Sequence, residues 1–167
     1  FNNPKGLYEK NKVDIVLTGD SFTEGKSVYS DESISAQLRE YDFIVKIVGS
    51  GMLEDSLKKQ VSVLKLDHKI QFLGSREDVP LLLSQSDCLL LPSLWEAFPI
   101  VLLEAAASNI PVVTTPVGSI TSFVDNECGY VSKLETFRIA MIEVMTNPKD
   151  AKIKSNILHK KIVSDYW

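Results

Sequence analysis

The chain has 167 residues, a formal net charge of −4 at pH 7, and 44% hydrophobic against 24% charged residues. This length and balance are typical of one α/β domain with a hydrophobic core. The negative charge argues against a nucleic-acid interface, which needs a basic face, and the apolar runs are far shorter than the roughly 20 residues that cross a bilayer.

Strand-sized apolar runs alternate with amphipathic stretches along the chain. The apolar runs predict strands at residues 13–18, 43–48, 69–73, 88–91 and 112–114, with a further short strand near Tyr130. The amphipathic stretches predict helices at residues 32–39, 53–64, 79–85, 100–107, 120–124, 135–145 and 150–163. Apolar strands that alternate with helices form a parallel sheet covered on both faces. The pattern therefore predicts the α/β fold class, with a single Rossmann-like, doubly wound parallel sheet.

The two cysteines, Cys88 and Cys128, lie far apart, and neither belongs to a CxxC pair. This spacing indicates no metal site, and free thiols are typical of a reducing compartment. No charged start followed by an apolar stretch indicates a secretory signal. We therefore expect a cytoplasmic protein without a bound metal.

Glycine and proline turns follow the predicted strands. Gly49 and Gly51 come after the second strand, Gly74 after the third, and proline turns at residues 92 and 116–118 after the next two. In a parallel sheet these turns all lie at the carboxyl ends of the strands, which is the edge where open α/β sheets bind ligands. We therefore expect the ligand site among these turns.

The most informative segment runs from residue 92 to residue 118. Pro99 opens a predicted helix, where its missing N–H has no cost. The next three N–H groups, those of Ile100, Val101 and Leu102, are expected to be free and to point toward the sheet edge. Together with the helix dipole they form an anion site suited to a diphosphate. Trp95, on the loop before this helix, is expected to pack against the core; the alternative, less favoured, is stacking on a sugar or base.

Two glutamates flank this anion site. Glu96 lies on the loop before the helix, and Glu104 lies in the second turn of an otherwise apolar helix, where a carboxylate is rarely left unpaired. Carboxylates accept hydrogen bonds from pairs of sugar or ribose hydroxyls, so the arrangement suits a nucleotide sugar. The alternative, which these residues favour less, is a buried amphipathic helix with two incidental glutamates.

Glu96 and Glu104 match the E-x7-E motif of retaining GT-B glycosyltransferases, and residues 43–167 resemble glycosyltransferase family 4, the group 1 family. The segments that resemble this family in order are 47–54, 70–79, 86–93, 96–104 and 111–118. The resemblance implies the nucleotide-sugar-binding half of a GT-B fold. Two positions depart from the family. Asn109 replaces a frequent glycine, at little cost because asparagine tolerates the left-handed conformation, and Ser122 stands near a frequent glutamate.

By this resemblance the catalytic residue is Glu96, which holds hydroxyls of the donor sugar, and Glu104 holds the ribose hydroxyls. The resemblance assigns further donor-binding roles to Phe98, Ile100, Val101, Gly49, Gly51, Gly74, Arg76 and Lys26. The first three bring backbone N–H groups to the diphosphate or sugar, and the next four belong to turns that flank the base. The expected donor is linked to UDP or GDP, and no cofactor is expected.

Residues 1–42 do not resemble this family. The family has a Gly-Arg turn and a nearby lysine that grip the diphosphate, whereas this chain has Asp20 in the turn and Lys26 one position beyond the expected lysine. Residues 13–17, which lead into Gly19-Asp20-Ser21-Phe22, resemble the first block of SGNH (GDSL-type) hydrolases, and this resemblance implies Ser21 as the nucleophile. The base and oxyanion blocks of that family are missing, so Ser21 is predicted to be a turn serine. A P-loop is disfavoured because its spacing needs glycine at the position of Asp20.

We therefore expect two segments: residues 1–42, an SGNH-like strand, loop and helix that completes the sheet, and residues 43–167, a donor-binding domain. The expected function is sugar transfer from a nucleoside-diphosphate sugar to a saccharide or lipid-linked acceptor, aided by helix N–H groups rather than by a metal. The acceptor-binding domain is missing, so the chain alone is expected to be inactive. The alternatives are an SGNH-type ester hydrolase and a non-catalytic nucleotide-binding module. The lysine-rich last helix is predicted to have a solvated face, with at most peripheral membrane contact.

Overall fold

In the computed structural model, residues 12–18 and 42–166 are described, and their side chains from residue 42 to residue 164. The strands in this part of the chain are β1 Lys12–Thr18, β2 Asp42–Val48, β3 Ile70–Gly74, β4 Cys88–Leu91, β5 Val112–Thr114 and β6 Tyr130–Val131. The helices are α1 Glu54–Val63, α2 Val79–Ser84, α3 Ile100–Ala107, α4 Ile120–Phe123, α5 Phe137–Thr146 and α6 Pro148–Tyr166. Each element predicted within these residues is present, and the helix predicted at residues 32–39 lies outside them.

The last two helices begin at residues other than the predicted ones. α6 begins at Pro148, two residues earlier than expected, because proline is tolerated at the first helical position. The Asn147 side chain accepts a hydrogen bond from the Asp150 backbone N–H at 3.4 Å, which caps this first turn. α5 begins two residues later than expected, because Leu134–Thr136 forms a tighter 3-10 turn before it.

The strands lie in the order β3-β2-β1-β4-β5-β6, and every neighbouring pair is parallel. This is the strand order of the doubly wound dinucleotide-binding fold, so the predicted fold is confirmed. β1 lies inside the sheet, paired with β2 on one side and β4 on the other. The strand order reverses between β1 and β4, and folds of this class bind ligands outside the carboxyl ends of the strands at that point.

The sheet is covered on both faces. Because side chains alternate along a strand, Cys88 and Leu90 of β4 belong to one core cluster, whereas Leu89 and Leu91 belong to the other. The first cluster is covered chiefly by α1 and α5, and the second by α2, α3, α4 and α6. The four β4 side chains are at most 1% exposed, so the loop that follows β4 starts from a fully buried strand.

Both cysteines are buried free thiols, as predicted. Burial raises the pKa of the Cys88 thiol and of the Cys128 thiol. None of the helices within residues 42–166 is both long and apolar enough to cross a bilayer.

Two helices end in the same hydrogen-bonded motif with a non-glycine residue in the left-handed conformation. After α1, Lys65 has φ 56°, and the Leu66 N–H donates to the Val61 carbonyl at 3.0 Å. After α3, Asn109 has φ 54°, and the Ile110 N–H donates to the carbonyl five residues earlier at 3.2 Å. This is the Schellman motif, whose left-handed position favours glycine and tolerates asparagine. The expectation for Asn109 is therefore confirmed, whereas Lys65 is strained.

Lys65→Gly is expected to stabilise the protein by about 0.5–1 kcal/mol, because glycine adopts φ near +56° without the steric cost that lysine bears. The measurement is urea unfolding of the two proteins. The matched control is Lys59→Gly, which makes the same exchange inside α1, where glycine costs about 1 kcal/mol. Equal destabilisation by both exchanges would contradict the strain at residue 65.

Candidate functional site

The candidate site begins where β4 ends, in the loop from Pro92 to Pro99 that leads into α3. Pro99 occupies the N-cap position of α3, and its side chain makes no cap hydrogen bond. Among the described residues, the N–H groups of Phe98, Ile100 and Val101 have no acceptor. A helix start with unpaired N–H groups and a favourable dipole is an anion site.

One of the predicted free N–H groups is not free. The Leu102 N–H donates to the carbonyl oxygen of Pro99 at 3.0 Å. This bond closes a three-residue turn, which helices often use to satisfy donors at their ends. The prediction was therefore wrong for Leu102, and the available donors lie in the residues just before it.

Glu96 is held in place by a buried serine. The Ser93 hydroxyl donates to Glu96 Oε1 at 2.7 Å, and Ser93 is 2% exposed. The Ser93 carbonyl in turn accepts a hydrogen bond from the Thr115 hydroxyl at 2.5 Å. This chain of bonds connects the loop after β4 to the loop after β5, and it leaves Glu96 Oε2 available to a ligand.

Gly118 fixes the same two loops against each other. Its φ is 53°, and a Cβ atom there would lie 1.7 Å from the carbonyl oxygen of Glu96. Both the backbone conformation and the close approach therefore require glycine at this position. The backbone of Glu96 is supported by the β5–α4 loop, and its side chain by Ser93.

Glu104 lies in the second turn of α3, on the same face as Ile100 and Val101, because residues three and four apart share a helix face. That face is open near the helix start, where Ile100 is 66% exposed. Glu104 is partly buried, yet its carboxylate has no hydrogen bond or ion pair to any residue between 42 and 164. A partly buried carboxylate that retains its full acceptor capacity is available to ligand hydroxyls.

A second group of candidate residues lies at the carboxyl ends of β2 and β3. The Gly49 N–H donates to the Gly74 carbonyl at 2.8 Å, and both glycines have positive φ, 128° and 64°. Gly49 and Gly51 line a small depression with Glu54 and Phe72. Neighbouring strands are about 4.8 Å apart, so β2 lies roughly 10 Å from β4 along this edge. A ligand that spans both groups must therefore be elongated.

Arg76 lies on the loop after β3 and is already paired. Its Nε donates to Asp78 Oδ1 at 2.8 Å, and its Nη2 donates to Asp78 Oδ2 at 2.7 Å. These bonds lower the pKa of the exposed Asp78 carboxyl. The Arg76 guanidinium at the carboxyl end of β3 is therefore partly neutralised by Asp78.

The structure thus forms two groups from the predicted site residues. Glu96, Phe98, Ile100, Val101 and Glu104 lie on one loop and helix after β4. The glycine turns and Arg76 lie together after β2 and β3. Ser21 and Lys26 lie outside the described residues.

The sequence-based expectations missed or misjudged several neighbours of Glu96. Trp95 was expected to pack in the core, but it is 75% exposed on the loop beside Glu96. Ser122 lies exposed on α4. The roles of Ser93 and Thr115 were missed, because their hydrogen bonds depend on how the loops after β4 and β5 are placed and not on a local pattern.

The family of glycosyl transferases group 1 matches residues 32–157. The UDP-Gal:alpha-D-GlcNAc-diphosphoundecaprenol alpha-1,3-galactosyltransferase of Escherichia coli is 33% identical over 130 residues, which are 75% of this chain and 33% of that protein. The chain spans about a third of the length of the first curated relatives it matches. These matches give no support to an SGNH-type hydrolase.

Solved structures show the same fold over nearly the whole chain. Anabaena HepE, solved in complex with UDP and glucose, has a TM-score of 0.78 at 19% identity, covering 98% of this chain and 48% of that one. The C-terminal domain of the LpcC group 1 glycosyl transferase from Francisella tularensis has a TM-score of 0.78 at 19% identity, covering 99% of this chain and 94% of that one. At this identity the likeness concerns the fold.

Proposed function

The chain belongs to the family of glycosyl transferases group 1, and on that premise we propose that it binds a nucleoside-diphosphate sugar at the carboxyl edge of its sheet. In this proposal it is the donor-binding part of a sugar transferase. The single observation that carries the proposal is that α3 presents both hydrogen-bond donors and a carboxylate that have no partner within the described chain. α3 begins with N–H groups that have no acceptor in the described chain, and Glu104, one turn further on, has no partner there either.

Each group suits one part of the donor. A diphosphate carries the negative charge that a helix start favours. The ribose offers two neighbouring hydroxyls, and the Glu104 carboxylate accepts from both. The glycine depression after β2 lies roughly 10 Å away along the edge, which suits the base of the same ligand. Arg76, beyond it, is proposed to flank the base together with Gly74.

In the transfer step, the bond between the anomeric carbon and the diphosphate oxygen breaks, and a bond forms from that carbon to an acceptor hydroxyl oxygen, whose proton passes to the departing diphosphate oxygen. The departing diphosphate gains negative charge. The N–H groups of Phe98, Ile100 and Val101 are proposed to stabilise that charge, because fixed donors aimed at a developing charge lower the barrier. Glu96 is proposed as the catalytic residue that holds the sugar hydroxyls and orients the anomeric carbon, with its position set by Ser93.

The acceptor is proposed to be a saccharide or a lipid-linked saccharide, bound by a part of the protein other than this domain. Because the chain spans about a third of its curated relatives, we propose that it binds the donor but transfers little or no sugar without that part. A cytoplasmic location is also proposed, and the two buried free thiols support it.

The test is calorimetric titration of the full chain with UDP, GDP, UDP-glucose and GDP-mannose. The expected result is saturable one-to-one binding of one nucleotide type, with the free nucleoside binding far more weakly because it lacks the diphosphate. A folded chain that binds none of the four ligands would contradict the proposal. A chain that binds the nucleoside as tightly as its diphosphate would contradict the role of the α3 start.

Ser93→Ala is expected to weaken binding of the nucleotide sugar about tenfold, because Glu96 loses a hydrogen bond of the charged type, worth about 1.5–3 kcal/mol, that fixes it against the sugar. Binding of the nucleoside diphosphate without sugar is expected to change less than about twofold. Calorimetry with both ligands measures the difference. Ser56→Ala, an exposed change on α1, is the control, and equal losses for both ligands in Ser93→Ala would contradict the proposed role.

A further inference from the structure

Helix α6 has one face packed against the domain. Ala151, Leu158 and Ile162 are buried at spacings that place them on one side of the helix. Leu158 and Ile162 belong to the second core cluster, and His159 Nδ1 lies 2.8 Å from the carbonyl oxygen of Ala106. These contacts fix the rotation of α6 and hold its opposite face outward.

The outward face combines apolar and basic side chains. Ile153 and Ile157 lie one turn apart and are 59% and 41% exposed. Lys149 and Lys160 are exposed on the same stripe, since positions 149, 153, 157 and 160 follow the three- and four-residue spacing of a helix face. Lys152 is exposed beside them, but its Nζ lies 3.1 Å from the Asn109 side chain at the end of α3. We name the other four residues, Lys149, Ile153, Ile157 and Lys160, the α6 outer face.

The α6 outer face is basic although the chain as a whole carries a net charge of −4. Its two lysines have no carboxylate within salt-bridge distance among the residues described. Asp150, the acidic residue among positions 148–164, accepts a hydrogen bond from the Tyr130 hydroxyl at 2.8 Å and lies 4.0 Å from Lys154 Nζ. The Asp150 carboxylate is therefore directed toward the domain.

We propose that the α6 outer face binds an anionic lipid surface. Exposed isoleucines between lysines suit a bilayer, because the apolar chains enter the headgroup region while the ammonium groups meet lipid phosphates. The phosphates of a nucleic acid would form ion pairs with the lysines, but Ile153 and Ile157 would add no binding free energy to that interaction. A stable protein partner needs about 800 Å² on each side, and four side chains on one helix offer less. The inference is independent of the proposed donor binding.

The test is flotation of the full chain with vesicles of phosphatidylcholine alone and with equal parts of phosphatidylglycerol. We expect binding only to the anionic vesicles, and weaker binding at 500 mM than at 50 mM salt, because salt screens exposed charges. The double change Lys149→Glu and Lys160→Glu is expected to weaken this binding at least about tenfold. Ile153→Ser is expected to weaken it about threefold.

Two matched controls distinguish binding through the α6 outer face from effects of the overall charge and from nonspecific hydrophobic binding. Lys59→Glu with Lys133→Glu makes the same charge change at exposed positions elsewhere, and Ile139→Ser removes an isoleucine that is 55% exposed on α5. Both controls are expected to bind anionic vesicles within about twofold of the unchanged chain. Failure of the folded chain to bind anionic vesicles, or equal losses in the controls, would overturn the proposal. The nucleotide titration is expected to be unchanged in all of these variants.

Discussion

Gly118→Ala is expected to destabilise the protein by about 2–4 kcal/mol. An alanine with φ 53° costs about 1 kcal/mol in backbone strain. Its Cβ would also overlap the Glu96 carbonyl oxygen, which would lie 1.7 Å away, and relief of such an overlap requires a backbone shift that typically costs about 1–3 kcal/mol. Urea unfolding measures the sum of the two costs.

The matched control is Gly74→Ala. Gly74 also has a left-handed backbone, with φ 64°, but among the described residues other than its chain neighbours no atom lies within 4 Å of its would-be Cβ. The control therefore bears the backbone strain alone, about 1 kcal/mol. The difference between the two variants measures the contact between the loops after β4 and β5. Equal destabilisation would show that Gly118 does not hold the Glu96 loop.

Glu104→Ala is expected to weaken nucleoside-diphosphate binding about 100-fold or more. The reason is the loss of two ribose hydrogen bonds to a charged group, each worth about 1.5–3 kcal/mol. The folding stability is expected to stay the same or rise slightly, because the carboxylate has no partner in the described chain and alanine favours helices. Calorimetry and urea unfolding of the same variant measure the two effects.

Two further variants define the role of Glu104. Glu104→Gln keeps the shape but removes the charge, so an intermediate loss of affinity is expected. Glu127→Ala removes an exposed glutamate far along the chain and is expected to leave binding unchanged. A Glu104→Ala variant that unfolds easily, or that binds the nucleotide normally, would show that Glu104 is a structural residue instead.

Much of the fold follows from local sequence patterns. Runs such as Cys88–Leu91 are apolar at every position, and only a strand buried on both faces explains this at such a short length. α6 begins two residues before its predicted start, because Pro148, a residue type that usually interrupts a helix, also suits the first helical position. The positions of helix ends depend on capping residues such as Asn147, and the spacing of apolar residues does not identify these.

The part of the candidate site that lies within one continuous segment could be predicted from the sequence. The contacts between two segments that are distant in the sequence could not. Glu96, Glu104 and the helix start lie within a few residues of each other, so their spacing carried the prediction. The contact of Gly118 with Glu96 joins residues more than 20 positions apart, which no local pattern encodes. Trp95 was assigned to the core by its hydrophobic character, yet loop geometry left it exposed.

Amide NMR spectra of the full chain, recorded during a titration with UDP and then with GDP, test most directly whether the α3 start binds the diphosphate. The predicted result is that one nucleotide shifts the amide signals of Phe98, Ile100, Val101 and Gly118 most strongly, with smaller shifts near Gly49. Saturable shifts confined to other parts of the chain, or no shifts from either nucleotide in a folded protein, would contradict donor binding at this site.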